Sequence, residues 1–362
     1  MKRYVKHFVL SIIMSLTFMS LSSAAFAAPK YTWSFACPWS RPVSEKGYKM
    51  FCDKVSEYTN GDIEIKLYMG GLLGTHDESF HGVRDGSIEV SALSPYVNLI
   101  PGGMLNWMPW TIGSFDEARI AYAYPDGIIY KLMDVAWGEV NCKLLFSCSQ
   151  GAYGLANNVR PLRTPSDLKN LKLRVSSSTA AVRCLENMGS GTGMLMENLP
   201  WSEIYTALSR GVVDGCWTML PSLVDERQCE VLKHYTHNLL VWDANNVVIN
   251  MDLWNELKPE YQKAILKAGA EAEQYLNDLH EAKEDEYRKK LEAMSGFTIT
   301  KISDEEREMW REKANMPAIW KELCDPWLEK HWPGQNKSKE ILNELNEIHR
   351  RCIEQKAAKK SS

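Results

Sequence analysis

Between Gln262 and Met294 the chain runs for about 30 residues with no proline and a single glycine, Gly269. Ala, Leu, Glu and Lys fill this stretch, and Tyr275, Leu279 and Leu291 recur at helical spacings. The spacing predicts one uninterrupted helix within residues 259–295. At about 1.5 Å per residue such a helix is about 45 Å long, more than the width of a small domain. It is therefore expected to run across two domains.

The N-terminus predicts an exported protein. Lys2, Arg3 and Lys6 give a basic start, Phe8 to Leu21 is an apolar run, and Ala25-Phe26-Ala27 fits a cleavage site. A run of about 14 apolar residues is too short for an ordinary membrane helix, so 1–27 reads as a signal peptide and the periplasm as the destination. Removing it leaves 335 residues, again a two-domain length. It also removes three cations, which takes the net charge from −4 to −7. With no long basic run before the tail, nucleic acid is not an expected partner.

The remaining chain alternates short strands and helices. Tyr31 to Ala36, Asp62 to Tyr68 and Ile88 to Leu93 read as strands; Ser44 to Tyr58, and a segment opening at Thr75 or His76, read as helices. A second such unit begins near Gly151, with a strand at Leu171 to Val175 and helices at Ala180 to Met188 and Pro200 to Leu208. The run "VWDANNVVIN" (241–250) then reads as a crossing strand. This βαβ alternation predicts an α/β fold. Ser303 caps a further helix, and "EQKAAKKSS" is expected to fray.

Catalytic signatures are missing. There is no G-x-S-x-G, H-E-x-x-H or Walker-type loop, and the nine cysteines form no CxxC pair. His234 and His237 could share one helical face, and a polar helix end is the plainer reading than a metal site. No metal, cofactor or enzymatic reaction is expected. Nine scattered cysteines are a large load for an exported chain and suggest a host living without oxygen. Against this background "LKNLKLRVSSS" (168–178) ends a strand in Arg174 and three hydroxyls. Arg174 is either an ordinary surface arginine or an anion grip at a cleft mouth.

Three ordered stretches carry a resemblance. "YTNGDIEIKLYMGGLLG" (58–74), "RPLRTPSDLKNLKLRV" (160–175) and "WSEIYTALSRGVVDGCW" (201–217) resemble segments of the solute-binding proteins of tripartite ATP-independent periplasmic (TRAP) transporters, DctP type. The resemblance implies a two-lobed binding-protein fold with a long helix spanning both lobes. On this scheme 28–150 begins lobe I and 151–240 begins lobe II. Residues 241–258 return to lobe I, 259–295 form the spanning helix, and 296–362 pack on lobe II. It further implies a monomer that hands a small organic anion to a sodium-driven permease with small and large membrane subunits of DctQ and DctM type.

The family's anion-gripping arginine falls on Arg174, at which point the surface reading loses ground. Two departures stand beside it. Tyr153 occupies a place where many members have a second arginine, and Trp217 and Thr218 stand where the family often has Glu-Asn. Arg174 is thus expected to be the sole cationic anchor. Trp39, Tyr96, Trp107, Trp110, Trp201 and Trp217 are the candidate aromatic walls, although any one of them could simply fill a core. Glu78, Ser176, Thr218 and Asn246 are the candidate polar partners. One arginine with an aromatic wall suggests a small sulfonate such as isethionate. The alternatives are a 2-hydroxy or 2-oxo acid, a dicarboxylate, an indole-type acid, or a sensor that presents its ligand to a receptor.

Overall fold

The computed structural model describes residues 28–361, so the expected leader lies outside the described residues. The strands are β1 (Tyr31–Ala36), β2 (Ile63–Tyr68), β3 (Val90–Leu93), β4 (Cys142–Ala152), β5 (Gly154–Asn157), β6 (Lys172–Val175), β7 (Leu195–Asn198), β8 (Gly215–Thr218), β9 (His234–His237), β10 (Trp242–Asn250) and β11 (Thr298–Lys301). They form two sheets. Lobe I is built on β2-β1-β3-β10-β4 and lobe II on β11-β9-β5-β8-β6-β7.

Local chemistry explains the elements. In β2, Ile63 and Ile65 point inward while Glu64 and Lys66 face solvent, the period-two pattern of a half-buried strand. Helix Pro42–Tyr58 starts on a proline, whose missing N–H costs nothing at a first turn, and buries Tyr48, Phe51 and Val55 on the sheet. Helix His76–Asp85 carries a full capping box between Thr75 and Glu78 and stops at Gly86, held at φ 82°. Each buried aliphatic or aromatic side chain of this kind contributes about 1.5–3 kcal/mol.

The long helix is real and runs from Pro259 to Glu292, 34 residues. Ile265, Ala268, Ala272 and Leu276 join the core of lobe I, whereas Tyr287 and Leu291 join that of lobe II. Its single glycine has a packing reason. A Cβ on Gly269 would stand 3.0 Å from Phe146 and 3.3 Å from the Leu145 carbonyl, so the glycine lets the helix lie close on β4.

Two expectations differ at the C-terminus. Helices Asp304–Ala314 and Met316–Leu323 do pack on lobe II, against helix Thr179–Gly189. Helices Asp325–His331 and Lys337–Ser361 return to lobe I, on segment Pro101–Asn106 and helix Phe115–Ala121. Trp327, Lys330 and His331 converge there on Glu139 of lobe I, which fixes the return. The tail expected to fray continues the last helix to Ser361. His234 and His237 lie on strand β9, not on a helix. No helix among the described residues is long and apolar enough to cross a membrane. All nine cysteines are unpaired, and all but Cys229 are buried.

Candidate functional site

Strands β1 and β3 are parallel, as are β6 and β7. Their C-terminal ends face one interlobe cleft, the position at which open α/β sheets place ligands. Its volume is about 430 Å³. Lobe I contributes Trp39 and Arg41 beyond β1, Ser94 and Tyr96 beyond β3, His76 and Asp77 at a helix start, and Asp243 and Asn245 from β10. Lobe II contributes Arg174 from β6 with Ser176 and Ser177 just beyond it, and Asn198 to Ser202 from the end of β7 onward. Tyr153 sits between β4 and β5, where the chain passes from one lobe to the other, and its ring faces the same cleft.

Arg174 is 4 % exposed. Its Nε donates to the Leu199 carbonyl at 2.9 Å, and its guanidinium lies 5.5 Å from the centre of the Trp201 ring. These contacts fix the plane of the group and leave the terminal nitrogens toward the cleft. Among the described residues Arg174 forms no ion pair. Burial pulls its pKa below the ordinary arginine value, with Tyr96 the leading opposing influence. An anion delivered to this group would relieve that cost.

Arg174 is not the sole cation in the cleft. Arg41, which sequence reasoning missed, is 3 % exposed and reaches across the lobes. Its Nε donates to Glu226 at 2.7 Å and one terminal nitrogen to Ser222 at 3.1 Å, both in lobe II. The other donates to Gln150. Burial opposes its charge, but Glu226 and Asp243 outweigh that and raise its pKa. Its guanidinium sits between the rings of Trp39 and Trp201, at 5.6 and 5.4 Å. Arg41 is therefore occupied, and among the described residues Arg174 is the cleft arginine without a carboxylate partner. The signal was "WSRP": an arginine just before the helix-opening Pro42, beside a candidate wall residue.

Asp243 was missed as well, although a lone carboxylate inside an apolar strand run was visible. Burial raises its pKa to about 7, against the pull of Arg41. Its Oδ1 is buried with no hydrogen-bond partner, as are Asn245 Nδ2 and Trp39 Nε1. Such orphaned atoms in a cleft lining are what a polar ligand satisfies. His76 supports the wall. Its ring stacks on Tyr96 at 4.5 Å between centroids and hydrogen-bonds the backbone of Ser94 at 2.9 Å.

The other expected residues divide. Trp39, Tyr96, Tyr153 and Ser176 line the cleft with Arg174. Trp217 lies in a narrow recess behind it, of about 10 Å³, where it packs on Trp107 and Tyr153 at 6.1 Å from each. Trp110 is half-buried away from the cleft, its indole N–H donating to the Asn238 carbonyl.

Three polar assignments are corrected. Thr218 is fully buried in lobe II, donating to Gln228 at 2.6 Å. Glu78 is spent on its helix cap, accepting from the Thr75 N–H at 2.7 Å, and faces a separate surface hollow. Asn246 points into lobe I, where its amide accepts from Trp137 at 2.7 Å and donates to Ser147 at 3.1 Å. Side chains alternate along a strand, so the cleft receives Asn245 instead. Among the described residues no cluster of His, Cys, Asp and Glu is arranged to hold a metal.

Two α/β lobes, a helix shared between them and a polar cleft at the strand ends define a solute-binding protein by class. The family follows from comparison. The model of Bacterial extracellular solute-binding protein, family 7 (DctP) matches residues 39–324, and the chain belongs to that family, the TRAP solute-binding proteins, which bind solutes for transport and are not enzymes. The C4-dicarboxylate-binding periplasmic protein DctP of Rhodobacter capsulatus is 28 % identical over 280 residues, 74 % of this chain and 79 % of that one. A solute-binding protein of Chromohalobacter salexigens is 25 % identical over 317 residues, covering 86 % and 88 %. Among solved structures, a TRAP solute-binding protein of Haemophilus influenzae with bound L-gulonate superposes with a TM-score of 0.77 at 21 % identity, over 88 % of this chain and 99 % of that one. That likeness is one of fold.

Proposed function

We propose that this chain is the periplasmic solute-binding component of a TRAP transporter and carries a small monoanionic, hydroxyl-bearing organic acid. The acid is released to a sodium-driven permease made of small and large membrane subunits. The observation that carries this reading is Arg174, a buried and oriented guanidinium with no acidic partner. One uncompensated cation calls for one anionic group, held by two parallel N–H donors. The orphaned Asp243 Oδ1 and Asn245 Nδ2 call for hydroxyls on the rest of the ligand.

A sulfonate such as isethionate, with one acid group and one hydroxyl, meets both demands. A second reading is a sugar acid, one carboxylate with several hydroxyls, which would use more of the 430 Å³. Relatives of the same fold hold D-glucuronate and L-gulonate. A dicarboxylate has less support because Arg41 is already paired with Glu226. An indole acid has less because Trp107 and Trp217 pack on each other and leave no ring-sized space behind the cleft.

Thermal-shift screening with isethionate, D-glucuronate, L-gulonate, succinate and indole-3-acetate separates these readings, with calorimetry on the hits. Stabilisation by a hydroxylated monoanion is expected. Stabilisation by succinate alone would overturn the proposal. Encoded permease subunits beside the gene support transport, whereas a receptor kinase there would favour the sensing role.

A further inference from the structure

A second pocket, of about 250 Å³, lies in lobe II apart from the cleft. Four elements bring its charged lining together: His237 from β9, Arg288 from the long helix, Lys301 from β11 and Arg307 from helix Asp304–Ala314. Leu220, Tyr235, Ile299 and Ile302 complete the wall. The lining therefore holds three cations and a histidine and no carboxylate.

The counter-charges stand outside the lining. Glu284 takes one terminal nitrogen of Arg288 at 3.0 Å, Asp304 pairs with a terminal nitrogen of Arg307, and Glu292 is 3.9 Å from Lys301. Both guanidinium groups keep a buried Nε–H with no acceptor, Arg288 Nε and Arg307 Nε. Two orphaned cationic donors beside one cavity are unusual in a finished interior, because each costs the desolvation of its N–H. The same field acts on His237. Burial, then Arg288, Arg307 and Lys301, hold its pKa down to about 4, while its Nδ1 meets the Tyr235 hydroxyl at 3.4 Å.

We infer that lobe II carries a second anion site, in which His237, Arg288, Lys301 and Arg307 bind a compact oxyanion such as sulfate or phosphate. A tetrahedral oxyanion offers several acceptors to guanidinium and ammonium donors that converge on one cavity whose lining holds no carboxylate. Occupancy would also lift the pKa of His237, since the anion offsets the field that depresses it. The inference does not depend on the cleft or its ligand.

The test uses the Arg174→Ala protein, so that the cleft arginine cannot take the probe. Sodium sulfate and sodium phosphate are titrated by calorimetry at fixed ionic strength, with chloride as comparator. One equivalent of sulfate or phosphate is expected to bind more tightly than chloride. Adding Arg307→Gln should weaken it about tenfold or more, the loss of one charge-assisted bond. Lys301→Gln, at an exposed position, gives a smaller loss and serves if the arginine variant does not fold. A nitrogen-15 titration of the imidazoles should show the His237 midpoint rising with sulfate. Loss of all sulfate and phosphate binding in Arg174→Ala, indifference to both lobe II substitutions, or an unmoved His237 midpoint would overturn the inference.

Discussion

Replacing Arg174 should separate affinity from stability in opposite directions. In Arg174→Lys the compact ammonium keeps the charge but loses the second prong, the Nε bond to Leu199 and the planar seat over Trp201. One charge-assisted hydrogen bond is worth about 1.5–3 kcal/mol, so affinity for the best ligand of the panel should fall about 10- to 150-fold. Arg174→Gln removes the charge as well, and truncating one partner of a buried charged pair costs about 2–5 kcal/mol in binding. The ligand-free protein behaves otherwise. There the wild-type guanidinium is buried without a carboxylate, and burial lowers its pKa. Removing it should leave the empty clamp as stable or more stable, by about 1 kcal/mol, or roughly 2 °C for a chain of this size. Calorimetry reads the first quantity and a melting scan without ligand the second. Arg174→Lys binding within threefold of wild type would refute the two-pronged role. A clear loss of empty-state stability in Arg174→Gln would refute the account of an uncompensated charge.

Four further outcomes follow from the geometry. Glu226→Gln removes the nearer of the two carboxylates beside buried Arg41, leaving Asp243 at 3.9 Å, and should cost up to about 3–5 kcal/mol in chemical denaturation, the scale for breaking a buried pair. Burial raises the Glu273 carboxyl to about 8, so the folded chain retains a proton that the unfolded chain releases near its ordinary 4.5. Its contribution is full below about pH 4 and lost as pH rises through 8, and Glu273→Gln should flatten the fall in melting temperature over that window. A Cβ on Gly103 would stand 2.1 Å from the Pro95 carbonyl, beneath the loop that bears Tyr96. Gly103→Ala should therefore lower stability by about 1–3 kcal/mol and weaken ligand binding through the displaced ring. Thiol titration should find nine reactive cysteines in denaturant and at most slow reaction at Cys229 in the native protein, and a count below nine in denaturant would refute the unpaired state.

The parts legible in the sequence were those with a strong period or a local signal. The long helix, β2 and the Ser303 cap all announced themselves through spacing or capping residues. β4 did not. "CKLLFSCSQGA" is buried on both faces, so it shows no alternation and could pass for core of any kind. In the site, Arg174 was found because it ends a strand inside a matching motif. Arg41 belongs to no motif, and its role depends on Glu226, 185 residues away in sequence. In β10 every position is buried, so no exposed residue shows which of Asn245 and Asn246 faces the cleft. The period of two then sends the wrong neighbour to the cleft.

The path of the chain sets a constraint on opening. It begins in lobe I and passes to lobe II at Tyr153, back between β9 and β10, out again along the long helix, and home at Cys324. Two of these passages are short backbone segments, one is a rigid rod gripped at both ends, and the last is a tether that crosses at the buried Cys324. A clamp sewn shut by four threads cannot swing as a free door. Its lobes are expected to turn about the rod, with the tether limiting how far they part. Cutting the chain after Leu323 would remove that limit, and a wider range of opening in solution scattering is the mark it should leave.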